Sequence, residues 1–429
     1  MSGSIGRRDF LKATGGALLG SSLLGLTGCG GGDSGGPAKL RVSWYGGKPV
    51  HDGLNGALDL YKSDAAKIKT EFSAFPDYWD KLATQTAGGK APDVMRMSMS
   101  YFAEYVERGA LLDLSDYVGE QIKVSDLDKP VVDSGKVDGK FRGIGQSSIS
   151  HAMFVNKTML DKLKVPVPEH DWTWDGLADF AEKVTKAASK KDVYGTTDRG
   201  GNFQIFEVFV RQHGTEMFDG QQLALGKDVL KEWLTYWQDL RKAKLAVPSQ
   251  ITAEAVGFEK SPLVTGMTPV EFGWVQQIGF YQPLTKDELV VNMVPSGSAG
   301  SSPGQFLKAL DFWVCSSRTE NPEEAAKVVN FLLNDREATR KIGLNLGVPP
   351  SDQARKDAAG DPASPAAKAI EYVEFVADKV TESKEVWPKG YGELLGLLDR
   401  VNQEVGFGKA SIDDGVDQFF SEAKRALSS

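Results

Sequence analysis

At 429 residues, with 41% hydrophobic and 10% aromatic content, the chain has enough apolar matter for two cores, which excludes disorder as its main state. Its formal charge of −8 argues against nucleic acid or an anionic membrane surface as partner, because such partners need clustered Lys and Arg.

The first 29 residues read as an export signal. Gly6-Arg7-Arg8-Asp9-Phe10-Leu11-Lys12 leads into the short small-residue apolar run from Ala17 to Leu24, and Leu26-Thr27-Gly28-Cys29 closes it. The paired arginines resemble a twin-arginine signal. Leu-Thr-Gly-Cys resembles a lipobox, whose cysteine is lipidated and becomes the new N-terminus, anchoring the chain to the outer face of the cell membrane. Residues 1–28 are thus expected to be removed, leaving a formal charge of about −10. Residues 29–38, rich in Gly, form a tether. Gly30, Gly32 and Gly35 fit G-x-G-x-x-G, but no strand precedes them, so they give no dinucleotide site. With Cys29 lipidated, Cys315 has no partner and reads as a small buried hydrophobe.

After the tether, Leu40 to Tyr45 alternates like a strand, Leu54 to Lys62 is helix-like, and Ile68 to Phe72 is a second strand. Asp77 to Ala87 follows as a second helix and Asp93 to Met97 as a third strand. This β-α-β-α-β run predicts a mainly parallel sheet with loops at the strand C-termini open to a ligand. Helical spacing then marks Thr173 to Ala188, Val208 to His213 and Val229 to Lys242. Extended segments at Val264 to Val275, Leu289 to Val294 and Phe312 to Ser316 precede a helix from Pro322 to Asn334.

A series of landmarks now appears in order: Tyr78-Trp79-Asp80-Lys81-Leu82, Ala91-Pro92-Asp93-Val94, Gly109 to Leu114, Val155-Asn156-Lys157, Trp172 to Leu177, Tyr194-Gly195 and Asn321-Pro322-Glu323-Glu324-Ala325-Ala326. In this order and behind a lipobox, they resemble the extracellular solute-binding proteins of ABC importers, specifically the maltose-binding-protein-like carbohydrate group. The resemblance covers nearly the whole chain after the signal. It implies an α/β fold of two lobes joined by hinge strands, the type II periplasmic-binding-protein fold. Lobe one would take residues 39–147 and 312–350, and lobe two 148–311 and 351–429. It further implies a monomer that closes on a sugar and delivers it to an ABC permease, without catalysis or cofactor.

A sugar needs aromatic faces for its C–H patches and planar polar groups for its hydroxyls. Trp79, Trp172, Trp174, Trp233, Trp237 and Trp313 lie in helix starts, helix faces or an apolar strand and are expected to be core. Trp274 matches a position where the resemblance places a tryptophan against the sugar. Trp44 and Tyr45 end a strand beside Gly46-Gly47, and Trp387 and Tyr391 flank Pro388-Lys389-Gly390. Asn202-Phe203-Gln204 and Gln146-Ser147-Ser148 match cleft-facing family positions, although many members have proline where Gly145 stands here. Ser98 and Ser100 are weaker candidates.

Other classes are less well supported. Gly300-Ser301-Ser302-Pro303-Gly304 fits G-x-S-x-G, but a Ser- and Gly-rich loop precedes it and Pro303 interrupts it, against a hydrolase. His51, His151, His170 and His213 are scattered without metal-ligand spacing. A receptor for a polyamine or peptide stays open, with Glu271 and Asp311 as its acidic anchors.

Overall fold

The computed structural model describes residues 36–188, 192–297, 302–380 and 386–428. The signal, Cys29, most of the tether, and Gly300 and Ser301 lie outside them. Residues from Pro37 to Ser429 form one compact unit.

Twelve strands occur among the described residues: β1 (Ala38–Tyr45), β2 (Ala66–Ser73), β3 (Val94–Ser98), β4 (Lys136–Val137), β5 (Lys140–Phe141), β6 (Ile144–Gly145), β7 (His151–Asn156), β8 (Phe218–Asp219), β9 (Gln222–Leu223), β10 (Val270–Trp274), β11 (Leu289–Asn292) and β12 (Asp311–Cys315). The first sheet has the order β2-β1-β3-β12-β6. In it β1 runs parallel to β2 and β3, as the β-α-β-α-β pattern requires, and β12 joins antiparallel to β3. Leu40, Val42 and Trp44 are buried on one face of β1, against Leu54 and Ala57 of the helix Lys48–Leu58 and Trp313 of β12. All five residues of β3 are buried, as in a central strand covered on both faces.

The second sheet has the order β10-β7-β11 and is antiparallel throughout, which limits the expected parallel arrangement to the first sheet. Helices cover it, among them Trp174–Ala187, Phe203–Gln212 and Lys227–Lys242, whose Trp174, Trp233 and Trp237 pack edge to face, with Phe206 tilted against Trp233, in one core. The extended reading of Val264 to Val275 shrinks to β10, because Ser261 to Met267 forms turns closed by Thr265 N to Ser261 O and Met267 N to Pro262 O.

The chain leaves the first sheet after β6 and re-enters it at β12. Three extended passages therefore lie side by side at 146–150, 305–310 and 346–350. Backbone bonds tie them: Ser148 N to Val348 O (2.7 Å), Ile149 N to Lys308 O (3.1 Å) and Gln146 N to Asp311 O (3.1 Å). Glycine is required at this crossing. A Cβ on Gly145 would fall 2.5 Å from Val131 Cγ1 and 2.7 Å from its carbonyl oxygen. Gly347 has φ +118°, and a Cβ there would fall 2.5 Å from Ser147 Oγ. Cys315 is fully buried in β12, and burial pushes its thiol up to about 12, as fits an inert packing residue.

Candidate functional site

Parallel strands deliver their C-terminal ends to one edge of the first sheet, the edge at which open α/β sheets bind ligands. Tyr45 ends β1, Phe75 begins the helix after β2, and Tyr101 lies in the first turn of the helix Met99–Glu107 after β3. Their rings form one aromatic patch. Phe75 is 43% exposed and meets Tyr45 edge-on at 4.9 Å, while Trp79 stacks on Tyr101 at 4.0 Å. Ser98 caps the same helix by accepting from Ser100 N (3.3 Å), so its hydroxyl is committed to the backbone.

Behind the patch, Arg96 is buried. It donates to Tyr45 O (2.9 Å) and to Asp311 Oδ2 (2.8 Å), its guanidinium lies 4.4 Å over the Tyr45 ring, and Gln146 accepts from its Nε (3.0 Å). The Tyr45 hydroxyl also donates to Asp311. Burial penalises both charges, pushing Asp311 up and Arg96 down, and their mutual contact opposes that penalty.

On the second sheet, β10 ends at Trp274. Its backbone N–H donates to Gln277 Oε1 (3.0 Å) and its indole N–H to Gln204 Oε1 (3.2 Å). A cavity of about 270 Å³ opens there, lined by Trp274, Gln277, Gln204, Asn202, Arg199 and His151. Asn202 caps the helix Phe203–Gln212 through Ile205 N (2.9 Å). A neighbouring hollow of about 260 Å³ shares Arg199, Asn202 and Gln204 and adds Asp399. Lys389 Nζ lies 3.9 Å from Glu107, the last residue of the helix Met99–Glu107.

The structure thus brings Trp274, Asn202 and Gln204 to one cavity, and Tyr45, Ser98, Ser100, Gln146 and Asp311 to the strand ends of the first sheet. Other expectations are corrected. Trp44 is 0% exposed, stacked on Phe72 at 5.3 Å with its N–H on His51, and belongs to the core. Phe203 packs inward against Tyr391. Trp387 and Tyr391 stack on each other at 3.9 Å, both are buried, and the Trp387 N–H donates to Glu207 (3.3 Å). Ser147 and Ser148 are buried in the crossing, where Ser148 donates to Asp128, itself held by Arg355 (2.7 Å). Glu271 and Asp311 are not free acidic anchors, because Arg199 and Arg96 already pair with them.

Sequence reasoning missed Phe75, Arg199, Gln277 and His151, while Tyr101 falls in the stretch Met97 to Tyr101 that the strand pattern puts at a ligand-accessible strand end. One signal was present for His151: a lone histidine opening the apolar run Ala152 to Val155 is out of character for a buried strand.

Two α/β layers joined by three crossing segments, with an aromatic and amide-lined cavity, define a two-lobed receptor that captures a small solute. The chain belongs to the bacterial extracellular solute-binding protein family, whose model matches residues 59–371. An extracellular solute-binding protein family 1 structure from Alicyclobacillus acidocaldarius superposes with a TM-score of 0.74 at 28% identity, covering 92% of this chain and 100% of the other. An uncharacterised lipoprotein of Streptomyces antibioticus is 24% identical over 360 residues, 79% of this chain and 76% of its own. The galactooligosaccharide-binding protein of Bacillus subtilis is 22% identical over 399 residues, 88% and 87% of the two chains.

Proposed function

We propose that the protein binds a carbohydrate between its lobes, closes on it, and hands it to an ABC permease without chemically changing it. The observation that carries this reading is the cavity at Trp274, where an indole stands among the side-chain amides of Gln204, Gln277 and Asn202. An aromatic face suits the C–H patches of a sugar, and amides suit hydroxyls because they both donate and accept. The pairing of Glu271 and Asp311 with arginines weighs against a polyamine, which needs uncompensated carboxylates. The galactooligosaccharide-binding relative adds support for a sugar.

Lobe one is taken as 39–147 with 312–350, and lobe two as 148–311 with 351–429. The membership of β12 in the first sheet and of β7, β10 and β11 in the second supports that division. Closure would turn on the three crossing segments, with solute bridging Trp274 on one side and the Tyr45, Phe75 and Tyr101 patch on the other. The protein is taken to act as a monomer, exported through its twin-arginine-like signal and held at the membrane by lipid on Cys29. The lipoprotein relative supports the anchor. Cys29→Ser is expected to move the protein from the membrane fraction to the medium, read by cell fractionation.

The direct test is a thermal-shift panel of maltotriose, raffinose, galactotriose and cellobiose, with spermidine, amino acids and divalent metals as controls. A solute that binds only the folded state raises the melting temperature, by an amount that grows with its concentration. A rise with one class of saccharide is expected. A rise confined to spermidine or a metal would overturn the carbohydrate assignment.

A further inference from the structure

His151 opens β7, a strand in which all six residues are buried and four of the other five are apolar. The ring is 1% exposed. Trp274 covers it at 3.8 Å with a 31° tilt, and Phe306 meets its edge at 5.3 Å. Its backbone carbonyl is doubly satisfied, by Gln305 Nε2 (2.6 Å) and the Tyr372 hydroxyl (2.6 Å). The imidazole is the opposite case: neither Nδ1 nor Nε2 has a hydrogen-bonding partner among the described residues.

A phenylalanine would fill this place between two aromatic rings with no polar atoms to desolvate. Two unpartnered ring nitrogens in such surroundings cost stability, and cost of this kind is concentrated at functional sites. The same ring lines the cavity at Trp274. We propose that His151 is a specificity-determining residue of the solute site: its ring nitrogens are shut off from solvent in this structure, and one of them takes a solute hydroxyl at the floor of that cavity beside Trp274 once closure on the solute rearranges the contacts that cover it. The proposal rests on the carbohydrate reading of the cavity.

Burial, and then the positive charge of Lys308, hold the ring well below the ordinary histidine pKa, so it is neutral. A neutral imidazole carries one donor and one acceptor, which suits a hydroxyl better than a cation or a carboxylate alone. Trp274 reads the flat C–H face of any sugar. A hydrogen bond at the edge of that ring instead depends on where a hydroxyl points, and a site built to bond a hydroxyl rejects the analogue that lacks it. The inference thus assigns general affinity to Trp274 and stereochemical choice to His151.

The test is His151→Phe, which keeps the ring packing and removes both nitrogens, alongside His151→Gln, which keeps a donor and an acceptor. Without added saccharide, His151→Phe is expected to melt about 1–3 °C above the unsubstituted protein, since the uncompensated nitrogens are gone. By calorimetric titration with the saccharide of the panel above that gives the largest shift, it should bind about 10–100-fold more weakly, and His151→Gln should recover part of the loss. A lower melting temperature for His151→Phe, or saccharide affinity within about twofold of the unsubstituted protein, overturns the proposal. Should no saccharide stabilise the unsubstituted protein while spermidine or a metal does, the carbohydrate reading fails and the hydroxyl-binding role fails with it. A saccharide that binds the unsubstituted protein and His151→Phe equally leaves the carbohydrate reading standing and removes His151 alone.

Discussion

Glu271→Ala is expected to lower folding stability by about 3–5 kcal/mol, the usual cost of removing one partner from a buried ion pair. Glu271 is 1% exposed on β10. It accepts from Arg199 Nε (2.8 Å), Thr197 Oγ1 (3.1 Å), Ser261 Oγ (2.9 Å) and the Phe272 backbone N–H (2.9 Å). Truncation leaves a guanidinium, two hydroxyls and an amide without their acceptor. Because the Arg199 side chain is 25% exposed and can turn partly to water, the lower half of the range is expected. Urea denaturation should show a lower midpoint at unchanged slope. Glu271→Gln, which keeps the shape and one acceptor, should fall between the two. A loss below about 1 kcal/mol for Glu271→Ala would mean that Arg199 finds another partner. The network also fixes the strand that ends at Trp274, so solute affinity should fall along with stability.

Local pattern was enough to place the elements that carry the fold. Alternation at Leu40, Val42 and Trp44 marked β1, and Pro322 followed by Ala325, Val328 and Leu332 marked a helix with the same limits in sequence and structure, Pro322–Asn334. The same alternation separates Trp44 from Tyr45. Successive side chains of a strand point to opposite faces, so Trp44 and Tyr45 could not both reach one cleft. Tyr45 lies with the aromatic patch, and Trp44 is on the core face.

The pairs that fix the site were not legible. Arg199 meets Glu271 across 72 residues of chain, and Arg96 meets Asp311 across 215, distances over which periodicity says nothing about partners. The antiparallel second sheet was equally hidden, because its strands are four to six residues long and the segments joining them carry no hairpin signal. Composition could identify Gln204 and Gln277 as suitable for hydroxyls. Only folding could bring one to the indole N–H and the other to the backbone N–H of Trp274.

That convergence sets the second large effect: Trp274→Ala is expected to weaken saccharide binding by about 1–3 kcal/mol, the cost of truncating an aromatic anchor. Trp274 is 8% exposed, and the side chains of Gln204 and Gln277 fix its indole and its backbone. A sugar meeting it would find a face already in place and lose little to ordering it. Trp274→Phe keeps a ring face and gives up the N–H to Gln204, so a loss of about 1 kcal/mol is expected. Calorimetric titration reads both, and the change in tryptophan fluorescence on saccharide addition should shrink in each. Unchanged affinity in Trp274→Ala would remove the residue from the site. The combination of Trp274→Ala with His151→Phe should weaken binding by less than the sum of the two, because a hydroxyl is presented to the imidazole only while the indole holds the sugar against it.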